Sequence, residues 1–330
     1  MKTKSNYLKY IAILLVIVLV ITAGLLLIEI WEKREGKYAE FDAGDDVVEY
    51  KGQEYVPNDD IETLLVLGLD KYDGATSADS HESGVQADFL MLFVFDNETK
   101  QCTALQINRD TMTRVNKLSV GGTSVVNTYT KQIALSYNYV ADDNDKIRCR
   151  NTKDSVENLL NGIDIDHYMS LTMDSVSAMN DLVGGVEVTV LDDFTGIDDT
   201  LVKGEKATLI GAQALCYVRT RYGLDDTTNN NRMARQQQYI NALYEKTVSC
   251  IEADDEFIIK MVETMDNYIV YDSSDHKMKK LAEKFDDYEF VGIRKLDGES
   301  KMGEEFIEFY PDRESISDTV IDLFFKPKDE

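Results

Sequence analysis

Proline is scarce in this 330-residue chain, with three residues, as are histidine with three, cysteine with four and tryptophan with one. So little proline beside a 43% hydrophobic fraction excludes a mostly disordered polypeptide. The length suits one large domain or two modest ones with a real core. His81, His167 and His276 have no Cys or His at metal-ligand spacing, and Cys102, Cys149, Cys216 and Cys250 form no C-x-x-C pair. That pattern excludes a zinc site or a redox pair of the usual kind. An even cysteine count outside the cell permits disulfides, and isolated buried thiols are the other reading. Positive charge is also short, with 35 Lys plus Arg against 61 Asp plus Glu and a net charge of −26. A phosphate backbone needs a basic surface, so nucleic acid is excluded as the main partner. On its face the same balance argues against any polyanionic ligand.

One long hydrophobic run is present. Ile11 to Ile28 holds eighteen consecutive residues without a charge. At about 1.5 Å per residue it just spans a hydrocarbon core of about 30 Å. No A-x-A-like cleavage site accompanies it, and no Cys follows Ala23-Gly24, so the run reads as an uncleaved anchor. Lys2, Lys4 and Lys9 precede it and Lys33, Arg34 and Lys37 follow it, which is a tie on the positive-inside rule. Glu29, Glu32, Glu35 and Glu40 tilt the net charge towards a cytoplasmic N-terminus (residues 1–10) with the remainder outside.

Residues 29–60 are charged and weakly periodic and read as a stalk, with a short helix or an edge strand as an option within it, ahead of a folded region from residue 61 to 326. Thr63 to Leu69, Asp88 to Phe95 and Cys102 to Ile107 are short apolar runs that suit buried strands. No helical pattern separates them, so antiparallel pairing is the economical arrangement. An up-down-up meander then puts Asp70, Asp88, Arg109 and Asp110 at one end of the sheet. Helical patterns follow at Lys131 to Val140, Ser155 to Leu160 and Asp174 to Val183, with strands at His167 to Met173 and Val186 to Val190. A long helix starts near Arg232. The sum is an α/β domain with a mixed sheet.

The gathered acids and the Arg-Asp pair suit a metal and phosphate site, although acids at strand ends are common in a chain with 61 of them. Mg²⁺ is typically held by one or two carboxylates plus substrate phosphates. Arg219 and Arg221 fall two apart in a segment read as extended, so they share a face and suit a pyrophosphate. The alternative is a solvated edge strand paired with Asp225 and Asp226. Arg232, Arg235 and Gln236 share a face in the first turns of the long helix, where basic residues run against the dipole unless an anion is bound. A polar surface turn is the alternative there. Lys131 is a candidate phosphate contact or a solvated helix charge.

Seven short motifs stand in order between Leu67 and Gln238. They are Leu67-Gly68-Leu69-Asp70, Ala87-Asp88-Phe89-Leu90-Met91-Leu92, Ile107-Asn108-Arg109-Asp110-Thr111 and Ile165-Asp166-His167-Tyr168, then Leu182-Val183-Gly184-Gly185-Val186-Glu187-Val188. Gln213 to Arg221 (QALCYVRTR) and Arg232 with Arg235-Gln236-Gln237-Gln238 complete them. In these the chain resembles the LytR-CpsA-Psr family of membrane-anchored envelope enzymes. The resemblance implies a three-layer α/β domain, a central mixed sheet flanked by helices, behind one N-terminal transmembrane helix. It implies transfer of a teichoic acid or capsular polysaccharide from a polyprenyl-pyrophosphate carrier to peptidoglycan at the outer face of the cell membrane. Carried over by position, Asp70 and Asp88 hold Mg²⁺, with Mn²⁺ as the alternative ion. Arg109, Arg219, Arg221 and Gln236 bind phosphate with Arg232, Arg235 and Lys131 nearby, and Asp110 is a base or an arginine-orienting group. The polyprenyl tail is expected in an apolar pocket. A non-catalytic lipid-binding regulator and a polyprenyl-pyrophosphate pyrophosphatase are the alternative functions.

This chain departs from the family pattern at several places. Gln86-Ala87 stands where the family has Arg-Ser, Asn108 where it has Pro, and Asn229 where it has Asp, for which Asp226 could substitute. The family's Lys aligns with Gln132, one place from Lys131, and the 71–87 loop is longer. The first 28 residues carry three Lys and no acid, so the rest holds 32 basic and 61 acidic groups. A cluster of arginines can reverse that sign locally, because charges beyond about 8 Å are screened at physiological salt.

Overall fold

The computed structural model describes residues 41–71, 85–140, 143–221, 223–224, 229–254, 256–272 and 288–328. The Ile11 to Ile28 run, His81, His276, Asp225 and Asp226 lie outside them. Among the described residues no helix is long and apolar enough to cross a membrane.

In chain order the strands β1 (Val48–Tyr50) and β2 (Gln53–Pro57) precede β3 (Ile61–Leu69), β4 (Ala87–Asp96) and β5 (Gln101–Ile107). A ribbon follows, β6 (Met112–Leu118) with β7 (Val125–Gln132), then helix α1 (Asp145–Leu159), β8 (His167–Thr172) and α2 (Asp174–Leu182). The hairpin β9 (Val186–Thr189) and β10 (Lys206–Leu209) leads to α3 (Ala212–Arg219), α4 (Asn229–Ala253) and α5 (Phe257–Met265). The chain closes with β11 (Ile269–Tyr271), β12 (Glu289–Lys295), β13 (Gly298–Met302), β14 (Ile307–Pro311), α6 (Arg313–Phe324) and β15 (Phe325–Pro327).

The central sheet has the order β11-β8-β3-β4-β5-β12. Pairing is antiparallel through β3-β4-β5, as the sequence pattern led one to expect, and parallel for β3-β8 and β5-β12. The side-chain period of two splits β3 and β4 between two cores. Leu65, Leu67, Leu90 and Leu92 face α1 and α6, where Val156 and Val320 are fully buried. Leu64, Val66 and Phe95 face the other way. A separate core joins β9 and β10 to α3 and α4 around Phe194 and Tyr217. The sheet is therefore sandwiched, and its second face looks towards the helices that carry the arginines.

Several expectations change. Residues 48–57, read as stalk, belong to the domain. They form a hairpin whose Lys51-Gly52 turn has φ of 48° and 80°, β2 pairs with β15, and Val48 and Tyr50 are buried. Two short strands among charged residues leave little periodic signal. Lys131 lies in β7 opposite Thr113 rather than on a helix, and the helical turn begins only at Ile133 as a 3-10 segment. The cysteines are four free thiols, with burial pushing Cys149 up to about 11 and Cys102 to about 12.

Asp166 sets the parallel register of β8. Its carboxylate accepts from the backbone N–H of Thr63 at 2.9 Å and the Thr63 hydroxyl at 2.8 Å, and its own N–H donates back to that hydroxyl. Thr63 is 1% exposed, so nothing else reaches its N–H. Asp166→Ala is expected to destabilise the domain by about 1–3 kcal/mol, because a buried donor loses its partner. A urea midpoint equal to wild type would contradict this role.

Candidate functional site

Three strand ends build the site. The β3 strand ends at Leu69, and the Asp70 N–H donates to the Gln86 carbonyl at 2.9 Å, which holds the start of β4 alongside. Asp88 is the second residue of β4, and Arg109 stands two residues past the end of β5. The meander brings them into contact: Arg109 Nη1 donates to Asp88 Oδ1, and Nη2 to Gln86 Oε1. From the helical side, Arg219 is the last residue of α3 and donates to Asp70 at 3.0 Å. Arg221, two residues on, reaches Asp110 Oδ2 at 3.5 Å. In the first turn of α4, Arg232 lies 3.5 Å from Asp88 Oδ2. Its Nε donates to Asn229 at 2.7 Å, and Asn229 donates in turn to Asn108 at 2.8 Å. Arg109, Arg219, Arg221 and Arg232 thus meet Asp70, Asp88 and Asp110.

The cluster is largely shielded from water. Arg232 is 4% exposed and Asp110 2%. Burial pushes the Asp110 carboxyl above its ordinary value, against the pull of Arg109, Arg221 and Arg232. Burial lowers Arg232 to about 10, with Asp88 pulling the other way, so it remains a cation at neutral pH. Two guanidinium nitrogens, Arg109 Nε and Arg232 Nη2, are buried without a hydrogen-bond acceptor. An unmet buried donor costs about 1–3 kcal/mol, more when charged. The set suits an incoming anion with several oxygens.

Beside the cluster opens a cavity of about 210 Å³ between the second sheet face and α2, α3 and α4. Asp88, Arg219, Arg232 and Gln236 stand at its polar end, while Leu171, Val176, Met179, Val218, Leu243 and Met265 supply apolar wall. Gly68 lines it too, and a Cβ there would lie 2.8 Å from Phe89 Cβ. An anion-binding head and an apolar channel therefore share one opening.

The LytR_cpsA_psr family model matches residues 30–320 of this sequence. The chain belongs to that family. Its relatives include the polyisoprenyl-teichoic acid–peptidoglycan teichoic acid transferase TagU of Enterococcus faecalis, 28% identical over 236 residues. That match spans 70% of this chain and 68% of the relative. TagU of Bacillus licheniformis is 28% identical over 191 residues, 58% of this chain and 54% of its own length. Among solved structures, TagT bound to LI-WTA superposes with a TM-score of 0.59 at 19% identity, covering 86% of this chain and 96% of that one. At that identity the likeness shows the fold alone, a mixed α/β domain around a central mixed sheet.

Against the residues expected from this LytR_cpsA_psr sequence, the structure draws distinctions. Asp70, Asp88, Arg109, Asp110, Arg219, Arg221 and Arg232 come together, and Gln236 joins the cavity wall with its amide on the Val218 carbonyl at 3.2 Å. The segment before Arg219 is helical rather than extended. Arg219 and Arg221 converge because the helix stops at Thr220, whose extended ψ of 131° turns the chain outward. Arg235 does not face the site. It is fully buried on the flank of the same helical face, paired with Asp192 and donating to the Tyr217 and Thr220 carbonyls. It thereby pins the turn that carries Arg219 and Arg221. Lys131 is exposed, whereas its neighbour Gln132 is buried and donates to Asp110 at 3.2 Å and to the Ile307 carbonyl at 2.7 Å. Gln86, Gln132 and Asn229, which the sequence marks only as departures, are hydrogen-bonding members of the cluster. Their signal was positional, since each neighbours a motif residue or aligns with a charged one.

Arg235→Leu is expected to destabilise the fold by about 3–5 kcal/mol, because Asp192, 4% exposed, keeps an uncompensated charge. Arg219→Ala, at a part-exposed position, is expected to leave the denaturation midpoint close to wild type. Equal midpoints for the two variants would argue against the structural role of Arg235.

Proposed function

We propose that this chain transfers a glycopolymer of teichoic acid or capsular type from a polyprenyl-pyrophosphate carrier to peptidoglycan, releasing polyprenyl phosphate. The observation that carries the reading is the cluster of four arginines, with two unmet guanidinium nitrogens, opening onto an apolar cavity. A pyrophosphate ester of a long hydrocarbon has those two halves. The names of the relatives support the same donor and acceptor.

The acceptor hydroxyl oxygen bonds to the phosphorus that bears the glycan, and the bond from that phosphorus to the bridging oxygen breaks. Polyprenyl phosphate leaves, and the hydroxyl proton passes to solvent. Such displacement needs positioning and compensation of spreading negative charge more than covalent catalysis. Arg232 offers its unmet Nη2 to the phosphates, Arg109 stands beside it between Asp88 and Asp110, and Arg219 and Arg221 approach from the end of α3. Asp110 acts as the arginine-orienting group, since Arg109, Arg221 and Gln132 all approach its carboxylate.

Asp70 and Asp88, on adjacent strand ends, would hold Mg²⁺, or alternatively Mn²⁺. No group of three or more acidic, His or Cys side chains suited to a metal occurs among the described residues. Two carboxylates fit an ion that takes its other oxygens from phosphate and water. When bound, the ion neutralises charge on the phosphate oxygens. Gln86 replaces a family Arg and Asn229 a family Asp, two losses of opposite sign that leave the net charge of the cluster unchanged. We further propose that residues 11–28 anchor the chain in the cell membrane, with the domain outside and the 1–10 tail cytoplasmic.

Arg221→Ala and Asp88→Asn are each expected to lower transfer from a lipid-linked donor by about 10²–10³-fold, with Asp88→Asn also lowering the denaturation midpoint because two buried arginines lose their shared carboxylate. Chelation of divalent ions should lower the wild-type rate comparably. Near-normal transfer by both variants would reject the reading. Co-purified lipid without turnover would favour a lipid-binding regulator, and phosphate release without any glycan acceptor would favour a pyrophosphatase.

A further inference from the structure

The three guanidinium nitrogens of Arg232 are held differently. Nε donates to Asn229 Oδ1 at 2.7 Å, Nη1 lies 3.5 Å from Asp88 Oδ2, and Nη2 is buried without an acceptor. The short bond is the one to Asn229, so it fixes the plane of the fork more tightly than the ion pair does. Asn229 is the first residue of α4 and stands one turn before Arg232 on the same face, 3% exposed. Its amide donates to Asn108 Oδ1 at 2.8 Å, and that oxygen also accepts from the Asp110 N–H at 3.0 Å.

The polarity of this relay is fixed from both ends. A guanidinium and a peptide N–H only donate, so each must meet an amide oxygen, and the Asn229 NH₂ is left to face Asn108. A carboxylate at 229 would accept from Nε but would hold no proton for Asn108, setting two acceptors against each other. Seating of the helix does not depend on the relay. Gln106 of β5 pairs with Gln236 and Gln237, and Arg235 donates to the Tyr217 and Thr220 carbonyls. What the relay adds is the orientation of one fork relative to the segment that carries Arg109 and Asp110.

We propose that Asn229, braced by Asn108, is a positioning residue: it holds Arg232 Nε so that Nη2 stays turned towards the pyrophosphate of the donor. The inference rests on the transfer reading above and adds which neutral residues keep its buried arginine available. Without Asn229 the Arg232 fork is free to rotate and bring Nη2 as well as Nη1 onto Asp88, since guanidinium and carboxylate favour paired contacts. The nitrogen left for phosphate would then serve the protein instead.

The test uses the full chain in detergent with inorganic pyrophosphate as probe, its binding measured by calorimetry in Mg²⁺ buffer. Asn229→Ala is expected to weaken pyrophosphate binding by about tenfold, the scale of a lost hydrogen bond to a charged group. In an Arg232→Met background the same change is expected to cost about twofold or less, because Asn229 then has nothing to orient. In transfer assays with a lipid-linked donor, Asn229→Ala raises the donor KM and leaves the acceptor KM unchanged. Asn229→Ser, whose shorter hydroxyl cannot span both bonds, is a second variant and follows the same pattern. Asn229 variants that bind pyrophosphate as wild type does, an equal loss with and without Arg232, or failure of both variants to fold would each overturn the positioning role. Binding that survives Arg232→Met unchanged would overturn this role and the arginine site of the transfer reading together. A relay that behaves as expected in protein that transfers no polymer would stand, and the transfer reading alone would fall.

Discussion

Asp88 stands between two buried arginines, and most of the site depends on that arrangement. Its two oxygens face Arg109 and Arg232, which come from the end of β5 and the first turn of α4. Neither cation could stay in so dry a place alone, since an unpaired buried charge costs several kcal/mol. One carboxylate therefore ties a strand end to a helix start, and it leaves Arg232 Nη2 without a hydrogen bond and Arg109 Nε with only a long ion-pair contact to Asp110. The incomplete pairing matters as much as the pairing. A fully matched cluster would be a structural salt bridge, whereas this one retains capacity for a further anion.

Net charge and site charge are separate matters in this protein. The whole chain carries −26, which keeps polyanions away from most of its surface. At the cluster four guanidiniums face three carboxylates within contact distance. Surrounding acids a Debye length away are screened, while the buried partners are not. The acidic surface thus limits non-specific binding, and the proposed phosphate site is a local reversal of its sign.

Much of the fold was legible because its signals are local. The β3, β4 and β5 runs are short and apolar, and no helical pattern stands between them in the sequence, so their antiparallel order and the meeting of Asp70, Asp88 and Arg109 followed from connectivity. An edge strand was open for residues 48–57, but their place in the domain was not legible, because two short strands gain their stability from β15, far away in sequence. Arg219 and Arg221 were placed at the site for a mistaken local reason. Spacing of two suggested a strand, but a helix end with an extended cap brings both side chains to the same site.

Sequence by itself determined the family, the mixed sheet, the acids at its strand ends and a wider set of candidate arginines. Those follow from residue type, order and period, which need no partner to be read. Only tertiary structure decided which arginines serve the site. Arg232 and Arg235 are three residues apart on one helix, yet one opens on the cavity and the other is closed off by Asp192 and two carbonyls. Which groups approach a helix face depends on packing from distant segments, and a residue's own neighbours in sequence do not encode it. The same holds for Lys131 and Gln132, where the alternation of β7 exposes the charge and turns the neutral amide onto Asp110.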